Sequence, residues 1–438
     1  MTLLSPTNVA RLAGAPDPTA GLPDGTGVAF NSAQVRPGHV FFAMPGATTH
    51  GMKFAEEALE RGAAYLVSDR PHPRGIQVQD PASTLLQLGR EARARLKGAV
   101  IGITGTAGKT STKAMLAAAI NARSTPGNFN TPYALAQALI EAHLAEEQAG
   151  PDVTDHPALV LELGIDHAGE MAQLLGLTRP DHGLITSIGA SHLAGLGDVQ
   201  GVAHEKGALL ATATGVKLVS TSAAEHLPPE LLEGATLVGA HVSLNGSAGS
   251  SLEAFGRQID LPWPGRPAAE NALMALTLAT RRGTPLDAAV ERLLGANLES
   301  SRLERRQLGD LTIIDDSYNS NPVSLRAALE VLFAAPAPRV AFLGDMLELG
   351  NREVEEHRAM GQASRGLELV VGVGHASAHM KETNPQARWA HDALAAAAFL
   401  DEVPEGATVL VKGSRGVGLE RLIAKLEERL ASGARYRA

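Results

Sequence analysis

The sequence predicts an α/β protein of three domains, and three observations carry that prediction. The chain has 438 residues, and domains run at roughly 150 residues each. Short apolar runs alternate with helix-like stretches in two separate regions, the pattern of parallel sheets covered by helices on both faces. A Gly-rich turn joins one of these runs directly to a long Ala/Leu-rich helix.

The first region, residues 1–96, mixes short strands with one clear helix. His39 to Met44 and Ala64 to Val67 read as strands, with a helix from Phe54 to Arg61 between them. The second, residues 97–301, opens on the apolar run Ala99 to Ile103, the Gly-rich turn, and a helix to about Ala122. Ala158 to Leu161 and Gly183 to Ile188 are further buried strands, separated by a helix over Gly169 to Leu177. Glu146 to Pro157 reads as a surface loop, and Ser243 to Pro267, rich in Gly, Ser and Pro, as short β pieces or loop. Helices are expected from about Glu270 to Arg282 and from Pro285 to Leu294. In the third region, residues 302–438, Leu311 to Ile314, Val340 to Leu343, Leu367 to Val371 and Thr408 to Val411 read as parallel strands of a second doubly wound unit. Ala393 to Leu400 reads as an ordinary helix.

Composition narrows the function. Hydrophobic residues are 44% and aromatics only 3%, so the cores are built mainly from Ala, Leu, Val and Ile, and a disordered chain is excluded. With no cysteine, disulfides, thiolate catalysis and thiolate metal sites are excluded together. A net charge of -9 argues against non-specific nucleic-acid binding. No apolar run approaches the roughly 18 residues of a membrane span. Met1 to Pro16 has no basic segment followed by an apolar core, so no secretory signal is expected and the location is expected to be cytoplasmic.

The strongest chemical signal is Gly102-Ile-Thr-Gly105-Thr106-Ala107-Gly108-Lys109-Thr110-Ser111-Thr112. It follows a strand and opens a helix, where backbone N–H groups close on phosphate oxygens and the helix dipole favours an anion. Lys109 would reach the terminal phosphates, and the Thr110 hydroxyl would ligate Mg²⁺. The spacing departs from G-x-x-x-x-G-K-[ST], because Ile103 stands where the first glycine belongs. Glu162 ends one strand and His192 lies just beyond another. Ligands of open parallel sheets collect at those carboxyl ends, so both could hold a metal beside the phosphates, or be a salt-bridged strand end and a loop residue.

Gly105-Thr-Ala-Gly-Lys-Thr110, Leu161-Glu-Leu-Gly164 and Ser191-His-Leu193 followed by Lys206 resemble the ATP-dependent Mur ligases of peptidoglycan precursor synthesis. Asp315-Asp-Ser-Tyr-Asn-Ser-Asn-Pro322, Gly344-Asp-Met-Leu-Glu-Leu-Gly350 and Val411-Lys-Gly-Ser-Arg415 resemble the family member that attaches D-alanyl-D-alanine. His167-Ala-Gly-Glu170 and Arg179-Pro-Asp181 read the same way. The resemblance implies a uridine-nucleotide domain, a central P-loop-type ATPase with a mainly parallel sheet, and a Rossmann-like C-terminal domain. It implies that ATP phosphorylates the carboxylate of a UDP-N-acetylmuramoyl tripeptide and that the amine of D-Ala-D-Ala displaces the phosphate. It implies ATP contacts from the Gly105–Ser111 loop, Asn271, Arg302 and Asp316. It also implies Mg²⁺ on Thr110, with a second metal on Glu162 and His192 and a carbamate on Lys206. By sequence alone Lys206 reads as a solvated helix lysine, Asn271 as a residue near a helix start, and Arg302 as a surface residue. His375 and Trp263 belong to no motif and read as core or surface.

The resemblance also places Asn31, Ser32, Asn130 and Thr131 on the UDP-linked substrate, and a monomer is expected. Three segments depart from the family pattern. Asn31-Ser32-Ala33 stands for Asp-Ser-Arg, His50-Gly51 for Asp-Gly, and Gly265-Arg-Pro-Ala-Ala-Glu-Asn271 for Gly-x-His-Asn-x-x-Asn. Thr131-Pro132 resembles the ligase that adds the third residue, as Thr383-Asn-Pro-Gln386 does faintly. That ligase's Gly-Lys-Gly-His-Glu segment is absent. A nucleotide-binding scaffold without catalysis is the alternative from another class, and the substitutions at Asn31, Ala33 and Pro267 are its evidence.

Overall fold

The computed structural model describes residues 2–17, 21–46, 48–150, 152–153, 156–298 and 303–431. Four sheets organise it. The first is β1 (Gly27–Ala29), β2 (His39–Ala43), β3 (Tyr65–Ser68) and β4 (Gly75–Gln77), all parallel and in chain order. The second holds β5 (Val100–Thr104), β6 (Arg123–Ser124), β7 (Leu159–Glu162), β8 (His182–Ile185), β9 (Lys217–Ser220) and β10 (Thr236–Val238). Its order is β10-β9-β8-β5-β7-β6, and every pairing is parallel. Strands β5 and β7 are buried along their whole length, which is why they read as unbroken apolar runs in the sequence.

The Gly/Ser/Pro-rich stretch forms a small antiparallel sheet of β11 (His241–Leu244), β12 (Ser250–Ala254) and β13 (Arg257–Leu261). The last sheet contains β14 (Glu304–Leu308), β15 (Leu311–Asp316), β16 (Arg339–Gly344), β17 (Leu369–Val373), β18 (Arg388–Ala390) and β19 (Thr408–Lys412). Its order is β14-β15-β19-β16-β17-β18, parallel except for the edge strand β14. The architecture is three α/β domains.

Several expectations need correction. The first region carries not one helix but three, over Pro6–Ala13, Ala55–Glu60 and Pro81–Arg95. Two of them start where a proline follows a capping side chain. Ser5 accepts from the Asn8 N–H and Asp80 from the Ala82 N–H. The Pro132–Ala149 helix runs through the first residues of the expected loop at Glu146. The helix expected at Glu270 begins at Arg266, with Pro267 in its first turn. Ala393 to Leu400 is one α-turn followed by a 3-10 helix.

The first two sheets are joined through helices. Gly89, on the Pro81–Arg95 helix, lies so close to the Pro132–Ala149 helix that a Cβ there would stand 2.8 Å from the Ala136 Cβ. Among the described residues, no helix is long and apolar enough to cross a membrane.

Candidate active site

The site begins where β5 leaves the sheet. Gly105 and Gly108 take φ of +153° and +86°, and the Lys109–Ala119 helix starts immediately after. The first four N–H groups of that helix, from Gly108 to Ser111, have no acceptor within it. The loop is fixed from behind by the segment following β8: the Thr106 N–H donates to the Ser187 carbonyl at 2.9 Å. The Ala107 N–H donates to Ser187 Oγ at 2.8 Å. Strand β8 ends at Ile185 and not at Ile188 because Thr186 and Ser187 turn to hold this loop. Lys109 Nζ donates to the Gly105 carbonyl at 2.7 Å, laying its ammonium across the loop.

Thr110 Oγ1 donates to Glu162 Oε2 at 2.8 Å. Glu162, 2% exposed at the end of β7, also lies 3.8 Å from Lys113 Nζ. A buried hydroxyl and carboxylate side by side are hard oxygen donors of the kind Mg²⁺ takes, with the remaining positions left for phosphate oxygens and water. Among the described residues, no group of three or more His, Asp or Glu is gathered closely enough to hold a metal by itself. The residues therefore fit a cation that shares its ligands with a nucleotide.

His192 follows β8 with φ of +51°. Its Nδ1 is buried 3.1 Å from Asp166 Oδ1 and 2.6 Å from Glu348 Oε2, with no aligned hydrogen bond. Glu348 belongs to the loop after β16, so the last sheet reaches the middle one here. Lys206 sits inside the Val199–Thr212 helix and is 1% exposed. The solvated lysine expected from sequence alone is not what the fold contains. Burial, and then the nearby Lys109 charge, push its ammonium pKa well below the ordinary lysine range, with Asp166, Glu162 and Glu205 opposing.

One cavity of about 570 Å³ collects most of the candidate residues. Thr106 to Ser111, Glu162, His192 and Asn271 line it from the middle domain, and Asp316 from the end of β15. Asn130 and Thr131 line it as well. Asn271 presses on the loop: a Cβ on Gly108 would stand 2.7 Å from its Oδ1. Asp316 Oδ2 receives a 2.7 Å hydrogen bond from Lys412 Nζ, a fully buried ammonium at the end of β19. Gly105 and Lys206 do not themselves line the cavity. Arg302 lies outside the described residues.

Asn31 and Ser32 do not reach this cavity. Asn31 Oδ1 accepts from the Ala33 N–H at 3.0 Å, and Ser32 Oγ donates to Glu57 Oε2 at 3.0 Å. His50, standing for an aspartate, caps the next turn, its Nδ1 accepting from the Met52 N–H at 3.1 Å. Its Nε2 lies 2.9 Å from Asp69 Oδ1.

Sequence reasoning missed Asp166, Ser187 and Lys412 in the cavity lining and Lys113 beside Glu162, and placed Trp263 outside the site although it lines the cavity. For Lys113 a signal was present. It is four residues after Lys109 and three after Thr110, so it shares their helix face.

Three family models cover the chain in succession: the Mur ligase family catalytic domain over residues 25–124, the Mur ligase middle domain over 103–279, and the Mur ligase glutamate ligase domain over 301–415. A UDP-N-acetylmuramoyl-tripeptide–D-alanyl-D-alanine ligase from Treponema pallidum is 32% identical, across 90% of this chain and 92% of its own. The chain belongs to the Mur ligase family. Mur ligases are ATP-dependent ligases, and this Mur ligase is an enzyme of that class. The structure of MurF from Acinetobacter baumannii superposes with a TM-score of 0.84 at 26% identity, covering 97% of this chain and 98% of that one. MurF from Thermotoga maritima, solved in complex with ADP, gives 0.80 at 26% identity over 93% and 98%.

Proposed function

We propose that this Mur ligase joins D-alanyl-D-alanine to UDP-N-acetylmuramoyl-tripeptide, using ATP, in peptidoglycan precursor synthesis in the cytoplasm. The observation that carries the reading is the single cavity in which the Gly105–Ser111 loop, Glu162, Asn130 and the C-terminal Asp316 meet. The Treponema relative bears that activity in its name along nearly its whole length. We assign residues 1–96 to the UDP-substrate domain, 97–301 to the ATPase and 302–438 to the Rossmann-like domain.

In the first step a terminal carboxylate oxygen of the tripeptide attacks the γ-phosphorus of ATP. The bond to the β-γ bridging oxygen breaks, giving an acyl phosphate and ADP. In the second, the amine of D-Ala-D-Ala attacks the acyl carbon, loses a proton, and phosphate departs as the amide forms. Lys109 and the helix N-terminus face the charge that builds on the transferring phosphoryl group. Thr110 and Glu162 would hold Mg²⁺, which supplies charge neutralisation on the phosphates when bound. Asn271, Asp316 and Arg302 hold the nucleotide. His192 and Glu162 would hold a second metal ion, and Lys206, as a carbamate, would add a further oxygen ligand to it. Carbamate formation needs a neutral amine, and the burial that lowers the Lys206 pKa favours that form. Asn130 and Thr131 face the peptide end of the UDP-linked substrate. Asn31 and Ser32 serve its nucleotide end through the backbone they shape, since their side chains are engaged internally.

Product analysis by mass spectrometry tests the reading, with UDP-muramoyl di- and tripeptides offered against a panel of amines. A product of tripeptide plus D-Ala-D-Ala is expected. Preferred ligation of lysine, ornithine or diaminopimelate to the dipeptide would move the assignment to the third-residue ligase. Nucleotide binding without any amine-dependent ADP release would make the chain a scaffold.

A further inference from the structure

The loop between β6 and the Pro132–Ala149 helix carries Asn128, Asn130 and Thr131 into the cavity, and its geometry depends on a residue that lies elsewhere. Lys113, one helical turn beyond the phosphate loop, is 3% exposed. A cation near a helix N-terminus opposes the helix dipole, and a buried ammonium is costly unless its protons are used. Its Nζ donates to Thr125 Oγ1 at 3.3 Å and to the Gly127 carbonyl, and lies 3.8 Å from Glu162 Oε2. Thr125, itself 3% exposed, and Gly127, at φ of +53°, open the loop segment that ends at Thr131.

The far end of that segment is fixed separately. Thr131 caps the Pro132–Ala149 helix, its side chain accepting from the Ala134 N–H. Asn130 packs on Gly164 so closely that a Cβ there would meet its Nδ2 at 2.3 Å. Lys113 ties the start of the loop to the helix that bears Lys109 and Thr110.

We infer that Lys113 is a positioning residue that couples the phosphate site to the 125–131 segment, setting where Asn128 and Asn130 present their amides to the UDP-linked substrate. The inference rests on the proposed substrate role of Asn130 and Thr131. Lys113 does not line the cavity and acts through Thr125, Gly127 and Glu162.

The test compares Lys113→Met, which removes both charge and donors, with Lys113→Gln, which keeps donors for the Gly127 carbonyl. KM is measured separately for UDP-N-acetylmuramoyl-tripeptide and for ATP, and amide hydrogen exchange is followed over residues 127–131 in the ligand-free protein. Hydrogen bonds from charged groups contribute about 1.5–3 kcal/mol, so the methionine variant should raise KM for the UDP-linked substrate by about tenfold or more. KM for ATP should stay within about twofold, exchange over 127–131 should accelerate, and glutamine should restore part of both effects. Equal rises in the two KM values, or unchanged exchange in a folded variant, would overturn the inference. Should Lys113→Met fail to fold, Thr125→Val removes one of the three contacts and is read the same way: a smaller split in the same direction supports the tether, and no split overturns it. A wild-type protein that does not ligate D-Ala-D-Ala would refute the functional reading alone, because the exchange measurement needs no substrate.

Discussion

Replacing Lys109 with methionine removes the ammonium from the phosphate loop while keeping most of the side chain's length. In the folded protein this costs the 2.7 Å hydrogen bond to the Gly105 carbonyl. It also removes the positive charge that helps depress the Lys206 ammonium. These two effects on stability have opposite signs, the lost bond destabilising and the relieved repulsion stabilising. The thermal midpoint should therefore move by less than about 3 °C, the shift that about 1 kcal/mol produces in a large domain. The rate should not be spared. Nothing else in the loop can carry a full positive charge to the transferring phosphoryl group, and one preorganised contact of this kind contributes about 10²–10³ in rate, or about 2.7–4 kcal/mol. Continuous measurement of D-Ala-D-Ala-dependent phosphate release, with a melting curve on the same sample, reads both quantities. A variant with a native melting curve and kcat within about threefold of wild type would show that the phosphoryl group does not pass over this loop.

Gly108→Ala should weaken ADP binding measured by calorimetry. Its φ of +86° costs alanine roughly 1–2 kcal/mol, and the new Cβ displaces Asn271. Unchanged affinity would detach Asn271 from the nucleotide. Lys206→Ala should lose activity and recover part of it with small carboxylates such as formate, whereas Lys206→Arg should stay inactive despite its charge; a fully active arginine variant would exclude the carbamate. His143, buried on the Pro132–Ala149 helix, has its pKa lowered by burial against the opposing pull of Glu147. The folded state then binds fewer protons than the unfolded one below the ordinary value of 6.5, so stability falls as pH drops from there through the folded pKa. His143→Leu should flatten that acid limb in chemical denaturation curves; an identical slope in both proteins would show that another group is responsible.

What the sequence made legible follows from burial. Strands such as β5, β7 and β16, enclosed by helices on both faces, can hold little but apolar residues, so each stands out as a run. The edge strand β14, Glu304-Arg-Arg-Gln-Leu308, is half exposed along its length and carries no such mark. Strand β6 has two residues, both exposed. The phosphate loop was readable because local backbone geometry demands its glycines. Lys412 was not, and Lys206 was singled out only through the family resemblance, since lysine types read as surface until the surrounding packing is known. Both are 1% exposed, held by tertiary neighbours far away in the chain. The departures at residues 31–33 and 50 were visible, but that His50 would cap a turn as an aspartate does depended on the backbone around it.

Three motif glycines each back onto a polar side chain from another element. A Cβ at Gly105 would stand 2.0 Å from Thr186 Oγ1, at Gly108 2.7 Å from Asn271 Oδ1, and at Gly164 2.3 Å from Asn130 Nδ2. The pattern that advertises a phosphate site is thus also a steric contract between distant parts of the chain. Through evolution the members of each pair should be retained or lost together: a lineage that replaces Asn271 with alanine gains room at position 108, and one that keeps the asparagine does not. A descendant that has abandoned catalysis can still carry the full glycine signature for reasons of packing alone. In degenerate members of such a family, decay should be sought first at Lys109 and Lys206, neither of which is a partner in these glycine contacts.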